Sequence, residues 1–135
     1  MQAVEIIKKI MNFLVGKKPV SRRVVAMVTR DWQEVWTLVK GDSPSQLKQA
    51  LIVADRSLDS VLKDLVVGET TGERLKNAKK LFYPQTYDKI WRAHKLRNAL
   101  VHESGFEVQG FVIKNSVEQL KIALKELGLN ISGRM

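Results

Sequence analysis

The sequence predicts an all-α protein, an up-and-down bundle of five or six helices. Three observations carry this expectation. Apolar residues recur at three- and four-residue steps along most of the chain. Ser, Thr, Pro and Gly stand where helices start and stop. Sustained alternation is missing, and residues 106–113 form the one stretch that could be extended. The chain has 135 residues, which suits one core without staples.

Residues 1–18 read as an N-terminal amphipathic helix spanning about 3–15 and closed near Gly16. Ile6, Ile7, Ile10, Met11, Phe13, Leu14 and Val15 cover one half of it, and Glu5, Lys8, Lys9 and Asn12 the other. Packing on the bundle or on a second protomer explains such a face. An interfacial membrane helix backed by Lys17 and Lys18 explains it less well, because the segment is short.

Residues 19–42 supply a second helix. Ser21 caps it, Val24, Val28, Trp32, Val35 and Val39 mark its apolar face, and Gly41 ends it. The third helix starts at Ser43 as N-cap, with Pro44 in the first turn and Gln46 completing a capping box. Leu47, Leu51, Ala54, Leu58, Val61, Leu62 and Leu65 follow, and Gly68 ends the segment. Thr70 opens a short helix to about residue 81. Pro84 begins the next, which runs to about residue 103 and breaks at Gly105. Residues 106–113 read as a loop. Asn115 or Ser116 caps a last helix with Val117, Leu120, Ile122, Leu124 and Leu127, stopped by Gly128.

Composition narrows function. There is no cysteine, so disulfide scaffolds, thiolate metal centres and a cysteine nucleophile are excluded. Two histidines are too few for a histidine-only metal site. No cofactor is expected. No long apolar run or cleavable leader appears, so the cytoplasm is the expected location. The net charge of +9 points to an anionic partner, nucleic acid or a membrane surface. It is concentrated in residues 1–30 and 70–97, each +6, separated by a −3 segment.

The informative anomaly lies on the helix after Pro84. With His94 at 0° on a wheel of about 100° per residue, Ile90, Trp91 and Val101 define an apolar face around it. Arg97 and Asn98 also fall on that face, and His102 lies at its margin. Asp88, Arg92, Lys95 and Glu103 already form a solvent face. Polar groups turned inward need compensation. On the third helix, Asp55 sits on the stripe of Leu51, Leu58 and Leu62, so an ion pair with Arg97 or a shared polar pocket is expected. Histidine can move protons near neutral pH, and arginine can hold a phosphate with forked donors. This set suits phosphodiester chemistry without a metal. A buried network fixing helix register is the structural alternative.

Arg97-Asn98-Ala99-Leu100-Val101-His102 reads as R-N-x-x-x-H near the end of a late helix. It resembles the signature of the HEPN family (higher eukaryotes and prokaryotes nucleotide-binding), over roughly residues 43–127. The resemblance implies a HEPN-like helical core in residues 43–130 and a homodimer meeting across the motif helix. It implies a metal-independent endoribonuclease, a toxin or defence nuclease, whose partners are RNA or a nucleotide and an antitoxin protein. In that scheme His102 promotes attack of the ribose 2′-hydroxyl on the adjacent phosphate, leaving a 2′,3′-cyclic phosphate. Arg97 holds the phosphate, and Asn98 positions it or the imidazole. Asp55 and His94 are supporting residues, and Lys79, Lys80, Arg92 and Lys95 are the expected RNA contacts. The other function the resemblance allows is a non-catalytic nucleotide-binding or helical interaction module.

Overall fold

The computed structural model describes residues 3–7 and 20–133, and these contain helices and turns but no strand. Residues 3–7 are helical, with Ile6 and Ile7 exposed. The remainder of the expected N-terminal amphipathic helix lies outside the described residues.

The helix α1 (Arg22–Gly41) starts where Ser21 Oγ accepts the Val24 amide. The Ser21 amide itself donates to Asp64 at 2.9 Å, tying the start of α1 to the end of the next helix. Val24, Val28, Trp32, Val35, Trp36 and Val39 are buried. Gly41 ends α1 as expected, as the last helical residue, and Asp42 after it turns left-handed at φ 62°. A Cβ at Gly41 would fall 2.2–2.4 Å from the Gln46 carboxamide, so a larger residue there displaces that side chain.

That carboxamide belongs to the capping box of α2 (Pro44–Leu65). Ser43 Oγ accepts the Gln46 amide and Gln46 Oε1 accepts the Ser43 amide, both at 3.2 Å. Helix α2 is the hub of the fold. The other long helices and α3 all pack on it, so its buried residues run from Leu47 through Leu62 around most of its circumference. A helix wrapped on several sides buries polar residues as well, here Asp55 and Ser57. It ends at Leu65, before Gly68.

Helix α3 (Thr71–Asn77) is capped by Thr70, whose hydroxyl accepts the Glu73 amide. The expected single helix to residue 81 divides in two. At Ala78 it tightens into a 3-10 turn (Lys79–Leu81), which delivers Leu81 and Phe82 to the core.

Helix α4 (Pro84–His102) has proline in its first turn as expected, but its cap comes from far along the chain. Glu126 accepts the Tyr83 amide at 3.0 Å on one oxygen and the Thr86 hydroxyl on the other. Within α4 only Thr86, Ile90 and Ala93 are fully buried, so its second half lies half-exposed along the bundle.

The last helix, α5 (Gly110–Glu126), begins five residues before Asn115, which corrects the expected start. Ile113 explains the difference. It is buried in phase with Val117, Leu120 and Leu124, extending the stripe one turn earlier. Gly110 lets this turn sit against Leu47, whose Cδ1 would lie 2.9 Å from a Cβ. Gly128 (φ 93°) closes α5 in a Schellman arrangement: the Leu129 amide reaches Leu124 O and the Gly128 amide reaches Lys125 O. The chain then crosses α1, burying Leu129 and Ile131, and Ser132 O accepts the Trp36 indole N–H at 2.6 Å. No helix among the described residues is long and apolar enough to cross a membrane.

Candidate functional site

The misplaced polar residues of α2 and α4 meet. Asp55 is nearly buried on α2, with its side chain 9% exposed, and its carboxylate faces α4. The sequence left two arrangements open, a pair with Arg97 or a shared pocket, and the structure shows Asp55 shared between His94 and a longer pair with Arg97. His94 is the nearer partner, its Nδ1 lying 3.0 Å and 3.2 Å from the two carboxylate oxygens. Arg97 stands at the edge, with Nε 3.9 Å from Asp55 Oδ2. The two helices bring the residues together because Asp55 lies on the α4-facing side of α2. His94, Arg97 and Asn98 lie three to four residues apart on α4, so they share one side of it.

The hydrogen bonds run in one direction. Arg97 Nη1 donates to Asn98 Oδ1 at 3.0 Å. With Oδ1 used as acceptor, the same amide turns Nδ2 toward His94 Nε2, 3.4 Å away. His94 then carries its hydrogen on Nδ1, where the Asp55 carboxylate accepts it. Each donor meets an acceptor only in this order, so the network assigns both the Asn98 amide orientation and the His94 tautomer. The Nε2 lone pair meets a long contact, and the Arg97 side chain keeps 29% exposure.

Aromatic residues continue the stripe. Trp91 packs edge-on to His94, with centroids 6.1 Å apart, and Tyr87 edge-on to Trp91 at 6.4 Å. Trp32 and Trp36 are core residues, in T-shaped contact with each other. Trp91 is half-buried and packs against the core.

His102 stands apart. It is the last residue of α4 and exposed, and among the described residues it makes no hydrogen bond or ion pair. The expected RNA contacts Lys79, Lys80, Arg92 and Lys95 are all exposed. Lys79 lies 6.0 Å from the centre of the Tyr87 ring, and Arg92 pairs with Asp88 at 3.0 Å.

One inward arginine was not singled out from the sequence. Arg74 of α3 is buried, with Nε and Nη2 on the two oxygens of Asp59 at 2.7 Å and 2.9 Å and Nη1 on Gly68 O at 2.8 Å. The forked bond to Asp59 raises its pKa above the ordinary value. Arg74 thus balances an internal carboxylate, and the second basic block presents less charge outward than its total implies. The available signal was spacing: Asp59 follows Asp55 by one helical turn, on the same side of α2.

A cleft of about 570 Å³ opens between the start of α2, the end of α4 and the start of α5. Leu47, Leu100, Phe106, Phe111 and Ile113 give it apolar walls, and Lys48 and Lys114 stand on its border. The Asp55–His94–Asn98–Arg97 network does not line it. Among the described residues no group of three or more His, Asp or Glu could hold a metal ion. No family model, curated protein or solved structure matches the chain.

Proposed function

We propose that the protein is a metal-independent endoribonuclease of HEPN type. Arg97 holds the scissile phosphate, the ribose 2′-hydroxyl attacks it, and the bond to the 5′-oxygen breaks to leave a 2′,3′-cyclic phosphate. His102 takes part in the proton transfers. The observation that carries this reading is the contrast between the two inward arginines. Arg74 has its donors committed to Asp59 and Gly68. Arg97 is tethered by one neighbouring amide and a 3.9 Å ion pair, so it can turn to an anion. The exposed Lys79, Lys80, Arg92 and Lys95 supply further phosphate contacts.

Arg97 and His102 are five residues apart, about 140° around the helix, and diverge on one copy. Two copies meeting across the half-exposed end of α4 bring an arginine and a histidine to one phosphate. A toxin or defence role, with an antitoxin covering this surface, belongs to the same proposal. The test is incubation of purified protein with single-stranded RNA in a metal chelator. Cleavage to cyclic-phosphate ends, lost in Arg97→Ala and in His102→Ala, is the expected result. Cleavage that persists in His102→Ala, or that the chelator abolishes, overturns it. Sedimentation should show a dimer.

A second reading, a binding module that does not cleave, is favoured because no hydrogen-bond partner among the described residues orients His102. It predicts salt-sensitive RNA binding, lost in Arg97→Ala, with no product.

A further inference from the structure

Cleavage by 2′-hydroxyl attack moves two protons, one off the nucleophile and one onto the leaving oxygen. The resemblance names one histidine for this work. The structure holds a second imidazole, beside the same arginine and better prepared. We infer that Asp55 and His94 are the proton-accepting pair of the site. His94 Nε2 takes the proton of the 2′-hydroxyl as that oxygen bonds to phosphorus, and Asp55 holds the opposite nitrogen. His102 then gives a proton to the 5′-oxygen as its bond to phosphorus breaks. The inference rests on the ribonuclease reading and reassigns the first proton transfer within it.

The geometry supplies what a base requires. Its lone pair must be on the reacting nitrogen, and the Nδ1–H bond to Asp55 at 3.0 Å puts it on Nε2. The imidazole must be held, and Asp55 behind it and Trp91 at its edge do so. The cation formed must be stabilised, and the buried carboxylate lies against it. His94 is 11% exposed, which shields it from bulk water until substrate arrives. His102 has none of this support, but exposure suits a group that exchanges protons with solvent.

Asn98 explains how the buried base stays inactive at rest. Its Nδ2 covers His94 Nε2 because Arg97 pins its Oδ1. A phosphate that takes Arg97 removes the pin. The amide can then turn away, and Nε2 is uncovered beside the phosphate that needs it. Asp55 and Asn98 are positioning residues in this account, and His94 is the catalytic residue.

An activated substrate separates the two histidines. In a ribonucleoside 3′-(4-nitrophenyl phosphate) the leaving group departs without a proton. His102→Ala should lose about a hundredfold or more on RNA but come within about tenfold of the unaltered protein on the activated ester. His94→Gln should lose a comparable factor on both substrates. Asp55→Asn should follow His94→Gln, with the loss in kcat and with KM and melting temperature little changed, a split that a merely structural role would not produce. Recovery of His94→Gln on the activated ester, or full RNA cleavage by it, overturns the assignment while leaving the ribonuclease reading intact. Failure of the unaltered protein on both substrates overturns that reading itself. Should His94→Gln not fold, nitrogen NMR of the unaltered protein decides: the hydrogen belongs on Nδ1 of His94, and the opposite tautomer refutes the proposal.

Discussion

Arg74→Met and Arg97→Met, made side by side, should separate an arginine that holds the fold from one held ready for a ligand. Methionine keeps much of each stem's packing and removes the charge and the donors. Arg74 is 9% exposed and makes three short hydrogen bonds, two of them to one carboxylate. Removing one partner of a buried pair costs about 3–5 kcal/mol. Asp59 keeps Lys63 at 3.9 Å and is 14% exposed, which puts the loss near the lower end. For a domain of this size each kcal/mol moves the melting temperature by roughly 3–4 °C, so Arg74→Met should melt about 10 °C lower. Arg97 gives up one bond to an adjacent side chain and one distant ion pair, and Asp55 retains His94. Its loss should be about 1 kcal/mol or less, under roughly 4 °C. Thermal and urea melts followed by circular dichroism measure both. RNA binding at a temperature where both variants are folded should then reverse the order, intact in Arg74→Met and lost in Arg97→Met. If Arg97→Met melts as low as Arg74→Met, Arg97 is structural and the phosphate-binding argument fails.

Replacing Lys79 and Lys80 together by alanine should flatten the dependence of log affinity for single-stranded RNA on log salt by about 0.7 per lysine in contact with phosphate. An unchanged slope removes them from the interface. Gly68→Ala should lose about 1–3 kcal/mol, because φ is 151° there and a Cβ would stand 2.8 Å from Arg74 Cγ and 2.9 Å from its amide nitrogen. A melting temperature equal to that of the parent protein refutes the close approach. Burial raises the pKa of Asp31 above its ordinary 3.8, with Arg56 opposing. The folded state then binds the proton more tightly, so stability falls as pH rises from 3.8 through the folded-state value. Asp31→Asn should therefore be the more stable protein at neutral pH, with the gap closing below pH 3.8. A gap independent of pH contradicts this.

Signals in the sequence are legible where their chemistry is local. Ser21, Ser43 and Thr70 cap helices through contacts three residues away, and Pro84 opens α4 because its ring suits a first turn. The inward polar set of α4 and the acidic residue opposite were also legible, since helical geometry alone puts them on apolar faces. The start of α5 was not. Its first turn has no side-chain cap, and it forms because Ile113 finds the core and Gly110 fits against Leu47. Nor was the capping of α4 by Glu126, more than forty residues along the chain. Trp91 has the apolar wheel position that the sequence shows, and it packs half-buried against the core.

The sequence by itself determined that this protein is helical, where most helices begin, and that Asp55, His94, Arg97 and Asn98 lie on apolar faces where polar groups need compensation. Caps and apolar periodicity act within a turn or two, and that range is short enough to read. Only the tertiary structure decided who pairs with whom: His94 rather than Arg97 closest to Asp55, Arg74 on Asp59, and His102 left in solvent. Those choices depend on how two helices cross and which rotamers the crossing permits, and neither is fixed by the residues of one helix alone.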